Sequence, residues 1–232
     1  MKNNGIDTDY FDTMCIFQDV IKDKNPLLRP QEIVKASQER SIRKFVNQRS
    51  ERYPLQYILG QWEFYGYPFK VGTGVLIPRP DTETLVEDVI LYCRENNIKA
   101  PKIIDLCSGS GCIAITLKKE IPDSQVYAIE ISDTAIKYIR RNVKLNEVNI
   151  NVIHGDVLNE DVALKYSDFD IIVCNPPYLT VDDMIDRQKE VTFEPELALC
   201  GGEDGLYFYK ELIPLWKGSL KNGGMIVFEF GM

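Results

Sequence analysis

The 232-residue sequence predicts an α/β fold, a mostly parallel sheet with helices on both faces, preceded by a small helical region. Three observations carry this expectation. From residue 102 onward, short apolar runs alternate with amphipathic stretches, the pattern of strands joined by crossover helices. The run Ile103-Ile104-Asp105-Leu106 passes through Cys107-Ser108-Gly109-Ser110-Gly111 directly into Cys112-Ile113-Ala114-Ile115, which reads as strand, glycine turn and helix. A second apolar run, Phe169-Asp170-Ile171-Ile172-Val173-Cys174, ends at Asn175-Pro176-Pro177-Tyr178, where two prolines stiffen the chain just past a strand.

Residues 8–24 place Tyr10, Phe11, Met14, Phe17, Val20 and Ile21 at helical spacing. Residues 31–49 place Ile33, Val34, Ile42, Phe45 and Val46 on a second amphipathic face, with Asn25-Pro26 and Arg29-Pro30 breaking the chain between them. Residues 1–60 therefore read as an N-terminal helical domain. Its basic cluster, Arg40, Arg43, Lys44, Arg49 and Arg52, is a solvated helix face on the plainer reading and a docking surface for an anionic partner on the sharper one. Residues 62–71 are aromatic-rich around Gly66 and suit a β-hairpin, so 61–78 reads as a hairpin linker. Residues 79–232 form the main domain. Asp81 or Thr82 can cap a helix running to about Glu95. Strands are expected near 102–106, 125–130, 150–154, 169–174 and 224–230, and helices near 111–120, 133–146 and 204–220.

Bulk properties narrow the function. A net charge of −8 and a pI near 4.9 give no overall attraction to phosphate backbones or anionic membranes, so nucleic acid is a poor match as a direct substrate. No apolar run approaches the roughly 20 residues of a membrane span, and Met1-Lys2-Asn3-Asn4-Gly5 opens no signal-peptide core, which points to the cytoplasm. Cys15, Cys93, Cys107, Cys112, Cys174 and Cys200 form no C-x-x-C pair and read as buried thiols in a reducing compartment. His154 stands alone, so neither a metal site nor histidine general-base catalysis is expected.

Ligands in parallel sheets bind beyond the carboxyl ends of the strands, which makes each strand-end residue informative. Gly109 and Gly111 let backbone pass close under a ligand, and the helix behind them favours a carboxylate. Taken alone the glycines are ambiguous, since a dinucleotide fingerprint needs a third small residue that Ala114 only approximates. Glu130 ends the next strand, about 20 residues past the glycines, and is placed to accept from both hydroxyls of a ribose. Asp156 can accept from an adenine amino group while Val157 packs on the ring. Asn175-Pro176-Pro177-Tyr178 offers the Asn175 side-chain oxygen and the Pro176 carbonyl as in-plane acceptors for an amino group, with Tyr178 to stack on its flat face. Each motif has an ordinary reading as a cap or turn. Four at consecutive strand ends describe a pocket for an adenosine bearing an amino acid, opening onto an amino-group site.

Asp105 to Gly111, Glu130, Asp156 and Asn175 to Tyr178 resemble the ordered motifs of class I S-adenosylmethionine-dependent methyltransferases that act on a planar nitrogen. Within that class, Pro54-Leu55-Gln56-Tyr57-Ile58-Leu59-Gly60, Glu63-Phe64-Tyr65-Gly66, Leu76-Ile77-Pro78-Arg79-Pro80-Asp81-Thr82-Glu83, Glu194-Pro195-Glu196-Leu197-Ala198-Leu199 and Gly201-Gly202-Glu203-Asp204-Gly205-Leu206 resemble the HemK/PrmC family. The resemblance covers the chain from about residue 10 to its end. It implies a Rossmann-like sheet and methyl transfer from S-adenosylmethionine to the side-chain amide of the glutamine in the Gly-Gly-Gln tripeptide of peptide chain release factors. It also implies a cofactor held by Asp105, Cys107, Ser108, Gly109, Ser110, Gly111, Glu130, Asp156, Val157 and Asn175. Thr82 and Glu83 would border the same cleft, and Asn175, Pro176, Pro177 and Tyr178 would form the catalytic loop.

Two departures stand out. Cys107 occupies a position where the class often has glycine. The chain stops at Phe228-Glu229-Phe230-Gly231-Met232, where the family continues with a helix and an antiparallel pair, so the last strand is expected to form an apolar edge and the domain to be C-terminally incomplete. Adenine amino methylation, glutamine methylation of a ribosomal protein and a non-catalytic adaptor with a decayed pocket are the rival readings.

Overall fold

A computed structural model describes residues 1, 5–23 and 34–231. The Asn25-Pro26 and Arg29-Pro30 break and Ile33 lie outside the described residues. The chain divides into two compact units, Met1–Gly60 with Gln188–Phe193, and Gln61–Arg187 with Glu194–Met232.

The smaller unit contains α1 (Asp9–Ile21), α2 (Ala36–Ser50) and the short α3 (Leu55–Leu59). Its interior is built on Ile16, Ile42, Leu55 and Tyr57. Tyr10 and Phe11 were expected on the apolar face of α1, but both are exposed. Asp12 takes the inner position instead, because the buried Arg49 meets it at 2.6 Å and compensates its charge. Arg49 also pairs with Glu190 at 3.0 Å, and Arg52 with Glu190 at 2.8 Å. The basic cluster is thus divided: Arg40, Arg43 and Lys44 are solvated, with Arg43 paired to Glu39 along the helix, whereas Arg49 is internal. Glu190 explains why 188–193 joins this unit.

The larger unit begins with a hairpin, β1 (Gln61–Phe64) and β2 (Tyr67–Lys70), paired antiparallel. Tyr65 and Gly66 both take positive φ, 53° and 74°, as a two-residue turn matched to strand twist requires. Expected as part of a linker, the hairpin instead packs into the main core: Phe64 and Phe69 are buried with residues of α4 (Thr82–Glu95), and the Asn142 amide bonds both Lys70 backbone groups. Neither Asp81 nor Thr82 caps α4 through its side chain. The Thr82 hydroxyl is engaged elsewhere, as described below.

The main sheet is parallel, with β3 (Lys102–Leu106), β4 (Gln125–Glu130), β5 (Asn151–His154), β6 (Phe169–Cys174) and β7 (Leu220–Phe228) in the order β5-β4-β3-β6-β7. Side-chain alternation sorts the strands onto two cores. Ile103, Val126, Ala128, Ile171 and Val173 face α4, α5 (Cys112–Glu120) and α6 (Asp133–Leu145). Ile104, Leu106, Ile129, Phe169, Ile172 and Cys174 face the other side, with Leu212 and Trp216 of α9 (Tyr207–Trp216). Between these lie two short helices that sequence periodicity did not anticipate, α7 (Glu160–Ala163) and α8 (Val181–Asp186), each too brief to display a repeat.

β7 starts earlier than expected. The strand was expected from residue 224, yet residues 220–223 belong to it, and within it the register slips from Phe169↔Leu220 to Ile171↔Met225. The pairing is irregular there, and Gly223 adopts φ 80° within it. Strand order reverses between β3 and β6, so a crevice opens there beyond the strand ends.

Candidate functional site

At the carboxyl ends of β3 to β6 lies a cleft of about 200 Å³. Cys107 and Gly109 follow β3, Ile129 and Glu130 close β4, Gly155 to Leu158 follow β5, and Asn175 and Pro177 follow β6. The opposite wall comes from Gly74, Val75, Leu76, Leu197, Ala198 and Phe208.

The side nearest β3 and β4 is organised by one carboxylate. Glu130 Oε2 accepts from Gly109 N at 2.8 Å, and Oε1 accepts from Ser132 N at 2.8 Å. Burial raises the Glu130 carboxyl from its ordinary value, outweighing those backbone donors. Each oxygen keeps a further lone pair with which to accept from a ligand hydroxyl. Gly109 takes φ 55°, and a Cβ there would meet nothing within 4 Å, so the turn leaves open space where a side chain would stand. Gly111 serves packing instead: its Cβ would lie 3.2 Å from Ile115 and Ile139. Cys107 also takes positive φ, 60°, a strained value for a residue with a side chain. It is tolerated at the cleft wall.

Asp105, Ser108, Ser110 and Gly111 were expected to hold a ligand and stand behind the lining rather than in it. The Ser108 hydroxyl donates to the Asp105 carbonyl at 2.9 Å and the Ser110 carbonyl accepts from Asn142, so both serines brace the turn. Asp105 is fully buried and its carboxylate oxygens make no hydrogen bond among the described residues; burial pushes its carboxyl up to about 8, against the Ser108 side chain and the Ala114 N–H, which lower it. Asp156 and Val157 line the cleft. Asp156 Oδ1 accepts from Leu158 N at 2.9 Å, and the Val157 carbonyl accepts from Trp216 Nε1 at 2.8 Å, fixing both positions.

The side nearest β6 presents acceptors. Leu106 and Cys174 are register partners, so the glycine turn and the Asn-Pro-Pro-Tyr loop leave the sheet side by side. Pro176 and Pro177 are buried and Asn175 is half-buried. Asn175 Nδ2 donates to the buried Thr82 Oγ1 at 3.2 Å, which spends the donor edge of the amide inside the protein and leaves Oδ1 as the available acceptor. Among the described residues no donor reaches the Pro176 carbonyl. Tyr178 packs against Gly231, where a Cβ would lie 3.1 Å from its ring, and its hydroxyl lies 3.4 Å from Glu229 Oε1. Glu83, expected beside Thr82 at the cleft, instead accepts from Tyr65 N in the hairpin turn at 2.8 Å.

Two glycines clamp this loop from behind. Leu179 N donates to Leu199 O and Gly201 N to Leu179 O, both at 2.8 Å, in a parallel bridge of Leu179 with Cys200. A Cβ on Gly201 would fall 2.7 Å from the Pro177 carbonyl, and one on Gly205 only 2.4 Å from the Tyr178 carbonyl. Arg79 meets the buried Glu194 at 2.5 Å, and Glu194 also accepts from Ile77 N at 3.0 Å, which ties the approach to α4 to the segment carrying Leu197.

The sequence matches the model of the methyltransferase small domain over residues 84–191 and that of the PrmC N-terminal domain over residues 1–60. A release factor glutamine methyltransferase of Thermodesulfovibrio yellowstonii is 40% identical over 90% of this chain and 75% of its own length. The chain belongs to the HemK/PrmC methyltransferase family. A release factor glutamine methyltransferase of Fusobacterium nucleatum is 43% identical over the whole chain and 66% of its own length, and one of Clostridium acetobutylicum is 42% identical over 81% of this chain and 66% of its own length. The chain spans about two thirds of the length of the curated relatives it matches.

Leu197 and Ala198 entered the sequence reading only as part of the Glu194 to Leu199 resemblance, and Phe208, in α9, was given no role. Glu229 was also passed over, at the end of a strand whose pattern drew attention only to its apolar members.

Proposed function

We propose that this chain transfers a methyl group from S-adenosylmethionine to the side-chain amide nitrogen of the glutamine in the Gly-Gly-Gln tripeptide of peptide chain release factors, in the cytoplasm. The observation that carries this reading is the Asn175 amide, with its donor edge spent on Thr82 and its acceptor edge left free beside the cleft. The names borne by the relatives support it.

Cofactor fit is supported by three features. Open space at Gly109 admits a ligand against the backbone, Glu130 has acceptor capacity for hydroxyls, and the Asp156 and Val157 positions at the cleft wall are fixed by their own hydrogen bonds. When bound, S-adenosylmethionine would supply an electrophilic methyl group, leaving as S-adenosylhomocysteine, and the methylated amide nitrogen would give up one N–H proton to water. The protein's task is to position a poor nucleophile, an amide nitrogen whose lone pair is delocalised into its carbonyl. Asn175 Oδ1 and the Pro176 carbonyl accept the two N–H bonds of the glutamine amide, fix its plane and favour positive charge on that nitrogen. The two prolines and the glycine clamp keep those acceptors in place, so the ordering cost is met during folding. Neither histidine nor lysine is required.

The test is incubation with methyl-labelled S-adenosylmethionine and two substrates, a release factor and adenine-containing DNA, followed by mass mapping. Label on the Gly-Gly-Gln glutamine is expected. Label only on adenine, or on neither substrate, refutes the proposal.

A further inference from the structure

The Asn175 side chain can adopt two orientations related by a flip, and only one presents Oδ1 to a substrate. Thr82 does not choose between them by itself, since a hydroxyl both donates and accepts. An acceptor-only group beyond it would.

Glu229 follows β7 and its backbone is held on two sides, its N–H donating to Cys174 O at 3.0 Å and its carbonyl accepting from Tyr209 Oη at 2.7 Å. The Thr82 and Tyr178 hydroxyls and the Asn175 amide are the side chains that favour the charged form of its carboxylate. Oε1 lies 3.4 Å from Tyr178 Oη, while Oε2 is shut off from solvent and makes no hydrogen bond of its own among the described residues. An ionised carboxylate there attracts the Thr82 proton, which turns the Thr82 lone pairs toward Asn175 Nδ2, and it repels Oδ1. We propose that Glu229 is the positioning residue of the site, holding Asn175 through Thr82 in the orientation that leaves Oδ1 free for the substrate amide. As a role in methyl transfer this rests on the proposed function; as an orientation of Asn175 it does not.

Ionisation of Glu229 is then a condition for the productive orientation. The groups facing it are Asp81 from the start of α4, Tyr178 from the loop, Tyr209 from α9, Cys174 from β6 and Cys112 from α5. Burial first, with Asp81 adding to it, raises the Glu229 carboxyl above its ordinary value against the Thr82, Tyr178 and Asn175 side chains that lower it. Below that raised value Glu229 is neutral and the preference at Asn175 is lost.

Glu229→Gln keeps the shape and removes the charge; Thr82→Val keeps the volume and removes the relay. Each is expected to lower the turnover number on release factor by about 10- to 100-fold, to leave calorimetric S-adenosylmethionine affinity within about threefold of the parent, a ceiling set well below the effect on turnover, and to combine without further loss in the double variant. The acid limb of the rate profile disappears in Glu229→Gln. By nuclear magnetic resonance, the Asn175 side-chain NH₂ signal, assigned by its loss in Asn175→Ala, is expected to titrate in the parent and to stay flat in Glu229→Gln. A parent signal that does not titrate, an unaltered turnover number in both single variants, or a loss traced wholly to cofactor affinity would overturn the assignment. A parent protein inactive on release factor sinks the functional reading, and the titration still decides the orientation.

Discussion

The two sides of the cleft are built from opposite hydrogen-bonding edges. On the β3–β4 side, backbone N–H groups of Gly109 and Ser132 converge on the Glu130 carboxylate, and the turn leaves open space at Gly109. On the β6 side no backbone donor is available from Pro176 or Pro177, and the loop is held by side chains and by the close approach of Gly201 and Gly205. The difference matches the proposed ligands. A ribose and a cationic amino acid call for carboxylates and open backbone, whereas an amide NH₂ calls for fixed acceptors.

Asn175→Ala breaks the comparison most sharply. It removes an acceptor from one side and leaves the other intact, so methyl transfer is expected to fall by about a thousandfold or more, some 4 kcal/mol of transition-state stabilisation, with calorimetric cofactor affinity nearly unchanged. Equal losses in both would mean that the two sides are not separable. Gly205→Ala attacks the support of the acceptor side. Its Cβ would stand 2.4 Å from the Tyr178 carbonyl at φ 70°, so a loss of roughly 2–4 kcal/mol in chemical denaturation is expected, and a change under 0.5 kcal/mol would show that the clamp yields freely.

The donor side is weakened by Glu130→Ala, which leaves the Gly109 and Ser132 N–H groups without their partner. Cofactor affinity is expected to drop by about 10- to 100-fold, while the protein at saturating cofactor keeps most of its turnover. The buried carboxyl behind the turn adds a gradual pH slope. Asp105 holds its proton up to about 8 when folded, against an ordinary value of 3.8, so between these the folded state binds more protons than the unfolded one and stability falls as pH rises, by at most about 1.4 kcal/mol per pH unit. Asp105→Asn should therefore gain in melting temperature over the parent as the pH is raised from 5 to 8. A constant difference across that range would show that the buried carboxyl is not protonated.

Much of this was legible before any coordinates. β3, β4 and β6 lie at the residues that the apolar runs marked, because strands buried on both faces announce themselves as continuous apolar stretches. The N-terminal region was less legible: Tyr10 and Phe11 fit a helical repeat yet face solvent, while Asp12 and Arg49 are internal. Periodicity records which side chains would profit from burial. It is blind to a charge that finds its counterpart in a distant segment.

Local chemistry in the sequence by itself determined the alternating parallel sheet, the glycine turn before α5, the strand-end positions of Glu130 and Asp156, and a rigid loop of acceptors at Asn175. Only the tertiary structure decided which edge of Asn175 is free, that Thr82 rather than Glu83 serves it, and that Glu229 stands behind Tyr178, a neighbour 51 residues away along the chain. The physical reason is one of range. Backbone preference and apolar periodicity act over a few residues and leave a pattern there, whereas the orientation of an amide depends on which donors and acceptors the closed sheet brings against it.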